Sequence, residues 1–390
     1  MWIFGSGIFL IAYLGINIYT GTRVFSLIKF FLPSFRSIIF WPVYFLFCYS
    51  FILLTFFRSG WTRPFRLAAM NFIPAMFYFL LALLFLDGIR ILVQHFGYIP
   101  RSQIYSAAVT GIAICIAVIT MIYGACNARS IRTVHYTVAL KKRTEMPHLR
   151  ITLVSDLHIG ETVSRKWVAN IVDAINKTEP DMICMAGDIF DSGFESISDL
   201  DSIGVELRRL KAPLGVYACP GNHDVDRLSL RQAGGTSGIR DFLESANVVF
   251  LEDEIVMPTD SIYLIGRKDA RPIGLRQERK PAAELATDID PDRSKIFIFM
   301  DHQPVDYPNL EKTGADLILS GHTHRGQFFP ANIVTKLMFK KAGATHYGYW
   351  RGETAQGIVS SGAGVWGPSI RVATGSEVAV IDIVFREGGI

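Results

Sequence analysis

Residues 182–191 read Met182-Ile183-Cys184-Met185-Ala186-Gly187-Asp188-Ile189-Phe190-Asp191. A short apolar run stops at Gly187-Asp188, and a second carboxylate follows at Asp191. Bounded by Pro180-Asp181 on one side and a glycine on the other, the run reads as a buried strand. A carboxylate at the carboxyl end of such a strand stands where open α/β sheets hold ligands. Alone, Gly187-Asp188 is equally a plain turn.

Four other apolar runs end in the same manner. Residues 149–155 lead into Asp156-Leu157-His158, and 214–218 into Gly221-Asn222-His223-Asp224. Residues 296–300 lead into Asp301-His302-Gln303-Pro304, and 317–319 into Gly321-His322-Thr323-His324. Between them, residues 164–177 place Trp167, Val168, Ile171, Val172 and Ile175 at helical spacing, with Ser164 as an N-cap. Helices are expected near 196–210 and 238–246, a strand at 262–265, and strands broken by glycine-rich turns over 356–385. Taken singly, each polar motif is an ordinary turn or a core histidine. Together they are what a metal site needs, because strand ends aim side chains from several loops at one point. Oxygen and imidazole ligands without a thiolate suit Mn, Fe, Zn or a mixed pair, and disfavour a structural zinc.

The composition divides the chain. Residues 1–140 contain one acid, Asp87, of 35 in the chain, whereas the remainder has ordinary globular composition. Four apolar stretches, 2–19, 38–57, 67–86 and 104–123, approach the roughly 20 residues that cross a bilayer as helix. The first has no basic leader and no small-residue cleavage site, so it reads as a retained span. No charge is evident inside the spans, and no transport site is expected. Val24, Leu27, Ile28, Phe31 and Leu32 share a helical face, which predicts a surface helix over 23–32. Eight bases (Arg58, Arg63, Arg66, Arg129, Arg132, Lys141, Lys142, Arg143) fall on the side of the polar half, against five opposite (Arg23, Lys29, Arg36, Arg90, Arg101). That bias faces the polar half to the cytoplasm. The five cysteines form no Cys-x-x-Cys and behave as small hydrophobes. A net charge of +4 without a basic, aromatic stripe gives no reason to expect nucleic acid.

The five motifs, in this order, resemble the calcineurin-like metallophosphoesterase family over residues 148–385. The resemblance implies an α+β fold, a β-sandwich flanked by helices, here preceded by an all-α four-helix transmembrane region over 1–140. It implies two divalent ions. Asp156, His158, Asp188 and His324 would hold one, and Asp188, Asn222, His302 and His322 the other, with Asp188 shared. His223 would contact the phosphate and protonate the leaving oxygen, with Asp224 orienting it and Asp191 supporting the site from outside. The closing Ser360-Ser361-Gly362-Ala363-Gly364-Val365-Trp366-Gly367-Pro368 resembles the membrane-associated branch, which includes proteins similar to UDP-2,3-diacylglucosamine pyrophosphatases and multi-span membrane phosphoesterases.

Other expectations come from the residues. Arg371 carries a planar fork suited either to a phosphate or to a surface ion pair. Arg267, Lys268, Arg271, Arg276, Arg279, Lys280, Arg293 and Lys295 lie among acids and predict a solvated insert over 267–295. Residues 328–350 mix Phe328, Phe329, Leu337, Met338, Phe339 and Trp350 with Lys336, Lys340 and Lys341, a combination suited to an anionic membrane surface. The expected protein is a multi-pass membrane phosphoesterase, attacking a phosphodiester or pyrophosphate of a lipid or lipid-linked substrate with metal-bound hydroxide. Its expected partners are the lipid bilayer and that substrate; the residues point to no protein partner. Its rivals are a tethered phosphatase for a soluble nucleotide or phosphoprotein, and a non-enzymatic membrane protein with a structural metal site.

Overall fold

The structure is a computed structural model that describes residues 2–55, 60–100, 102–142, 146, 148–191, 194, 197, 199–225, 236–270, 279–287, 289, 295–340 and 345–385. The chain forms two compact units, Met1–Ala125 and Cys126–Ile390.

The first unit is helical: α1 (Trp2–Phe31), α2 (Ser37–Cys48), α3 (Ser50–Thr55), α4 (Arg63–His95) and α5 (Gln103–Arg129), the last running on into the second unit. These helices carry apolar residues on their outward faces, such as Leu84, Phe85 and Leu92 on α4 and Ile116, Ile119 and Ile122 on α5. A helix apolar all round is a core helix or a membrane span. Among the described residues only α4 and α5 are long and apolar enough to cross a bilayer, so the four expected spans become two. At 12 residues α2 is too short, and the chain breaks at Tyr49 before the six residues of α3. The surface helix expected over 23–32 is instead the end of α1, which runs unbroken to Phe31.

A charge cluster that the sequence reading missed lies within this unit. Asp87, buried on α4, accepts from Tyr19 (2.6 Å), Arg23 (3.0 Å) and Arg90 (3.0 Å). Arg23 also donates to Ser106 Oγ at 2.7 Å.

The second unit runs β1 (Ile131–Leu140), β2 (His148–Val154), α6 (Arg165–Asn176), β3 (Met182–Ala186), α7 (Leu200–Leu207), β4 (Val216–Cys219), α8 (Ser237–Ser245) and β5 (Val249–Phe250). It continues with β6 (Glu254–Thr259), β7 (Ile262–Gly266), α9 (Ala282–Thr287), β8 (Ile296–Met300), α10 (Tyr307–Lys312), β9 (Leu317–Ser320), α11 (Ala331–Lys340), β10 (Gly348–Arg351), β11 (Gln356–Val359) and β12 (Ser376–Phe385). The strands build two six-stranded sheets, ordered β1-β12-β2-β3-β4-β5 and β10-β11-β9-β8-β7-β6.

Three apolar clusters set the layers. Leu149, Ile151, Leu153, Cys184, Leu264 and Ile298, drawn from both sheets, form the core between them. On the outside of the first sheet, Val154, Ile183 and Met185 pack with Val168, Ile171 and Val172 of α6, Ile203 of α7 and Leu243 of α8. On the outside of the second, Tyr263, Phe297 and Ile318 pack with Leu285 of α9 and Leu310 of α10. The result is a helix–sheet–sheet–helix sandwich. Every residue of β3, β8 and β9 is buried, because strands covered on both faces need apolar residues in succession rather than alternation.

Residues 131–140, expected in the membrane region, belong to this sandwich. β1 pairs in parallel with β12 from Ile131↔Ser376 to Leu140↔Phe385, satisfying an edge that β12 would otherwise expose. Ser164 stands at the N-cap position of α6, as its sequence predicts, but its side chain makes no capping bond.

Candidate metal centre

Topology brings the five motifs together. β2, β3 and β4 are parallel neighbours in one sheet, and β8 and β9 are parallel neighbours in the other. Parallel neighbours end at the same edge, so five loops leave one end of the sandwich. Those loops are bent hard. Asp156, His158, Asp188, His322 and His324 all have positive φ, between 47° and 71°. Left-handed backbone at non-glycine residues costs energy and collects where a site over-determines it.

The loops brace one another through their backbones. Asp156 N donates to Gly187 O at 2.9 Å, His158 N to Asp188 O at 3.0 Å, and Gly321 N to His302 O at 3.0 Å. Glycines permit this crowding. A Cβ on Gly187 would sit 2.6 Å from His302 Nδ1, and one on Gly221 would meet the Asp188 carboxylate.

The side chains gather into two sets. Asp156, His158 and His324 form one, and Asp188, His302 and His322 the other, with a third group, His158, Asp191 and His223, beside the first; within each group one candidate ligand atom per residue lies within 4.8 Å of the others. Asp188 Oδ2 faces both: it is 3.6 Å from His158 Nε2 and 3.2 Å from His302 Nε2. In the first set His158 Nε2 and His324 Nε2 are 3.0 Å apart, and His324 Nε2 is 3.4 Å from Asp156 Oδ1. The other carboxylate oxygen, Asp188 Oδ1, accepts His223 N–H at 2.8 Å, and Asp156 accepts His322 N–H at 3.0 and 3.1 Å.

The residues fit divalent cations on atoms left without partners. His302 Nδ1 lies 2.8 Å from Ala186 O. A carbonyl only accepts, so Nδ1 carries the hydrogen and Nε2 is the nitrogen turned to Asp188 Oδ2; burial opposes charge on this ring, but Asp188 outweighs it and raises the imidazole well above its ordinary value, so a cation bound at Nε2 would take the place of a proton. That nitrogen is buried without a hydrogen-bond partner, as is Asn222 Oδ1 on the β4 loop. Buried acceptors without donors are rare, and a ligand imidazole that donates its other N–H to a carbonyl is a common arrangement around metals.

Electrostatics favour ligand forms of most of these groups. Burial lowers His158 to about 4 and His322 to about 3, and takes His324 well below its ordinary value, so all three imidazoles are neutral. Burial opposes ionisation of Asp188, but His302 beside it outweighs this and holds the carboxyl well below the usual range. Burial pushes Asp156 up to about 6.

Three expectations are revised. Asp224 does not orient His223. It is 2% exposed, and its carboxylate accepts backbone N–H groups of Ile189 (3.2 Å), Phe190 (2.8 Å) and Gly221 (2.8 Å), tying the β4 loop to the β3 loop. The carboxylate beside the ring is Asp191, whose Oδ1 is 3.5 Å from His223 Nδ1. Burial disfavours the charged form of His223, but Asp191, with Asp188 and Asp224, outweighs it and raises the imidazole. The spacing of Gly-Asp-x-x-Asp contained this second carboxylate; its partner was set by the fold.

Arg371 is fully buried and does not reach for phosphate. Its guanidinium donates to the carbonyls of His324, Ser361, Gly362, Gly364 and Gly375, fastening the glycine-rich turn beneath His324. Asn127 Nδ2 in turn donates to the carbonyls of Arg371 (2.9 Å) and Thr374 (2.6 Å).

The insert over 267–295 is not simply solvated. Arg267 is 2% exposed and donates to Asp301 and Asp306, each at 2.8 Å, and Arg279 also pairs with Asp301. This puts two arginines behind the residue that precedes His302. Arg271, Arg276, Arg293 and Lys341 lie outside the described residues.

Residues 149–326 match the family model described as calcineurin-like phosphoesterase. An uncharacterized metallophosphoesterase of Helicobacter pylori is 34% identical over 242 residues, 60% of this chain and 60% of that protein. A zebrafish (Danio rerio) transmembrane protein with a metallophosphoesterase domain is 30% identical over 288 residues, 70% of this chain and 62% of that one. Among solved structures, a dimetal phosphatase from Danio rerio matches 56% of this chain and 88% of its own at 12% identity and a TM-score of 0.36. The chain thus spans about three-fifths of the length of these curated relatives.

Proposed function

We propose that the chain is a member of the calcineurin-like phosphoesterase family, whose model residues 149–326 match, and that it is a membrane-anchored, dinuclear-metal-dependent hydrolase of a phosphodiester or pyrophosphate in a lipid or lipid-linked substrate. The observation that carries the metal part is Asp188 Oδ2, which faces one imidazole of each ligand set. A carboxylate so placed would be available to two cations. Asp156, His158 and His324 would complete one site; Asn222, His302 and His322 would complete the other. When bound, the two cations neutralise the phosphate and supply an acidified water as nucleophile.

The chain's residues do the rest. His302 is held in orientation by donating Nδ1–H to Ala186 O, which keeps Nε2 turned to Asp188. His223, raised by its neighbouring carboxylates, holds a proton for the leaving oxygen, and Asp191 steadies that ring. Asp224 and Arg371 act on backbone, holding the loops at this geometry.

The membrane part rests on α4 and α5 and on the similarity to a relative named as a transmembrane protein. A tethered site meets lipid headgroups at high local concentration. The excess of bases beside the polar half supports a cytoplasmic side for that half. A lipid-linked pyrophosphate is the specific candidate substrate that the closing block Ser360–Pro368, read as sequence alone, suggests.

The test uses the full chain in vesicles. Mn²⁺-dependent hydrolysis of a chromogenic diester that a chelator abolishes and metal restores is the expected result; chelator-insensitive turnover would overturn the metal reading. Lipid-linked pyrophosphate, phospholipid and soluble nucleotide are assayed in parallel. Preference for the nucleotide would replace the lipid substrate with a soluble one.

A further inference from the structure

α11 is built inside out. It has ten residues and none is buried. Ile333, Val334, Leu337 and Met338 are 48%, 55%, 61% and 65% exposed. At 3.6 residues per turn these four share an arc of about 140°. Lys336 and Lys340, both exposed, line one edge of that arc, and the helix contains no acid. Phe339 points elsewhere, its ring 6.3 Å from that of His322. A surface helix of a globular unit turns its apolar stripe to the core; this one turns it outward.

Exposed apolar side chains also stand beside the helix and the metal centre. Phe329, just before the helix, is 43% exposed. Trp366 is 55% exposed with its ring 5.8 Å from that of His223. Four apolar side chains exposed on one helical face mark a contact. An outward apolar face flanked by lysines is the pattern of a helix lying in an anionic membrane interface. Ten residues make about 15 Å of helix, too short to cross.

We propose that α11 seats the catalytic unit on an anionic bilayer: Ile333, Val334, Leu337 and Met338 enter the headgroup–acyl boundary, Lys336 and Lys340 meet anionic headgroups, and the metal centre is held at headgroup level. This rests on the lipid-substrate reading only for its purpose; the seating itself is tested separately. Phe339, on the other side of α11, and Trp366 border the centre at His322 and His223, so a helix seated in this way favours substrates presented from the bilayer over those in solution.

The experiment places p-benzoyl-phenylalanine at position 337 of the full chain, reconstituted in phosphatidylcholine vesicles with and without phosphatidylglycerol. Irradiation is expected to yield lipid adducts by mass, more of them with phosphatidylglycerol. A crosslink to the chain's own helical unit or to a second copy, or no adduct, overturns the proposal. In parallel, the double variant Leu337→Asn, Met338→Asn is expected to lose at least about tenfold in turnover of vesicle-borne diester, two buried apolar anchors being removed, and to keep its rate on a soluble chromogenic diester. Equal loss on both substrates, or loss on neither, overturns it. Lipid adducts without hydrolysis of any lipid would uphold the seating and defeat the lipid-substrate reading.

Discussion

Two buried carboxylates are compensated in opposite ways. Asp87, in the helical unit, accepts from Arg23, Arg90 and Tyr19, so the chain supplies its own positive charge. Asp188, at the sandwich edge, is surrounded by imidazoles and near Asp156, and burial keeps three of those imidazoles neutral. Among the described residues, the buried unpartnered atom beside Asp87 is a donor, Arg23 Nε, whereas the centre around Asp188 leaves an acceptor, Asn222 Oδ1, without a donor. A buried charge must be compensated. The first cluster is complete as a structural ion pair, whereas the second is arranged to receive cations.

The strongest way to break that contrast is Asp188→Ala. It is expected to lose both metals by elemental analysis and to reduce diester turnover by roughly 10³-fold or more; retention of both metals would end the bridging role. His223→Ala is expected to keep its metal while kcat falls about 10²–10⁴-fold, the range of a lost general acid. Metal loss in that variant would make His223 a ligand instead. Asp87→Asn leaves two arginines without their carboxylate and is expected to cost about 3–5 kcal/mol in unfolding of the reconstituted chain. Metal content and soluble-diester turnover should not change; a fall in either would show that the two clusters are not independent. The smallest effect is expected of Asp191→Asn, about tenfold in kcat, with coupling to His223→Ala in a double-mutant cycle. Additive losses would return the ring-orienting role to Asp224.

The contrast also explains what a linear reading could reach. Strands such as Met182–Ala186 and Ile296–Met300 announce themselves because burial on both faces demands unbroken apolar runs. The ligands follow at once, since the chain must turn where a strand ends. β1 was missed because an edge strand is only partly buried; of its ten residues only Val138 and Leu140 are fully covered. Helical length misled in the first unit, where one apolar stretch breaks at Tyr49 and another runs on through the basic residues to Phe31.

The sequence by itself determined which atoms could meet a metal and which loops would carry them, because ligand chemistry and strand endings are local properties. Tertiary structure alone decided the partners of those atoms. It assigned Asp191 rather than Asp224 to His223, buried Arg371 beneath His324, paired Arg267 and Arg279 with Asp301, and turned the apolar face of α11 outward. Each of these depends on which segments, far apart in the chain, are packed side by side. No residue type or spacing encodes that directly, because a carboxylate or guanidinium bonds whatever polar group the fold places within about 3 Å of it.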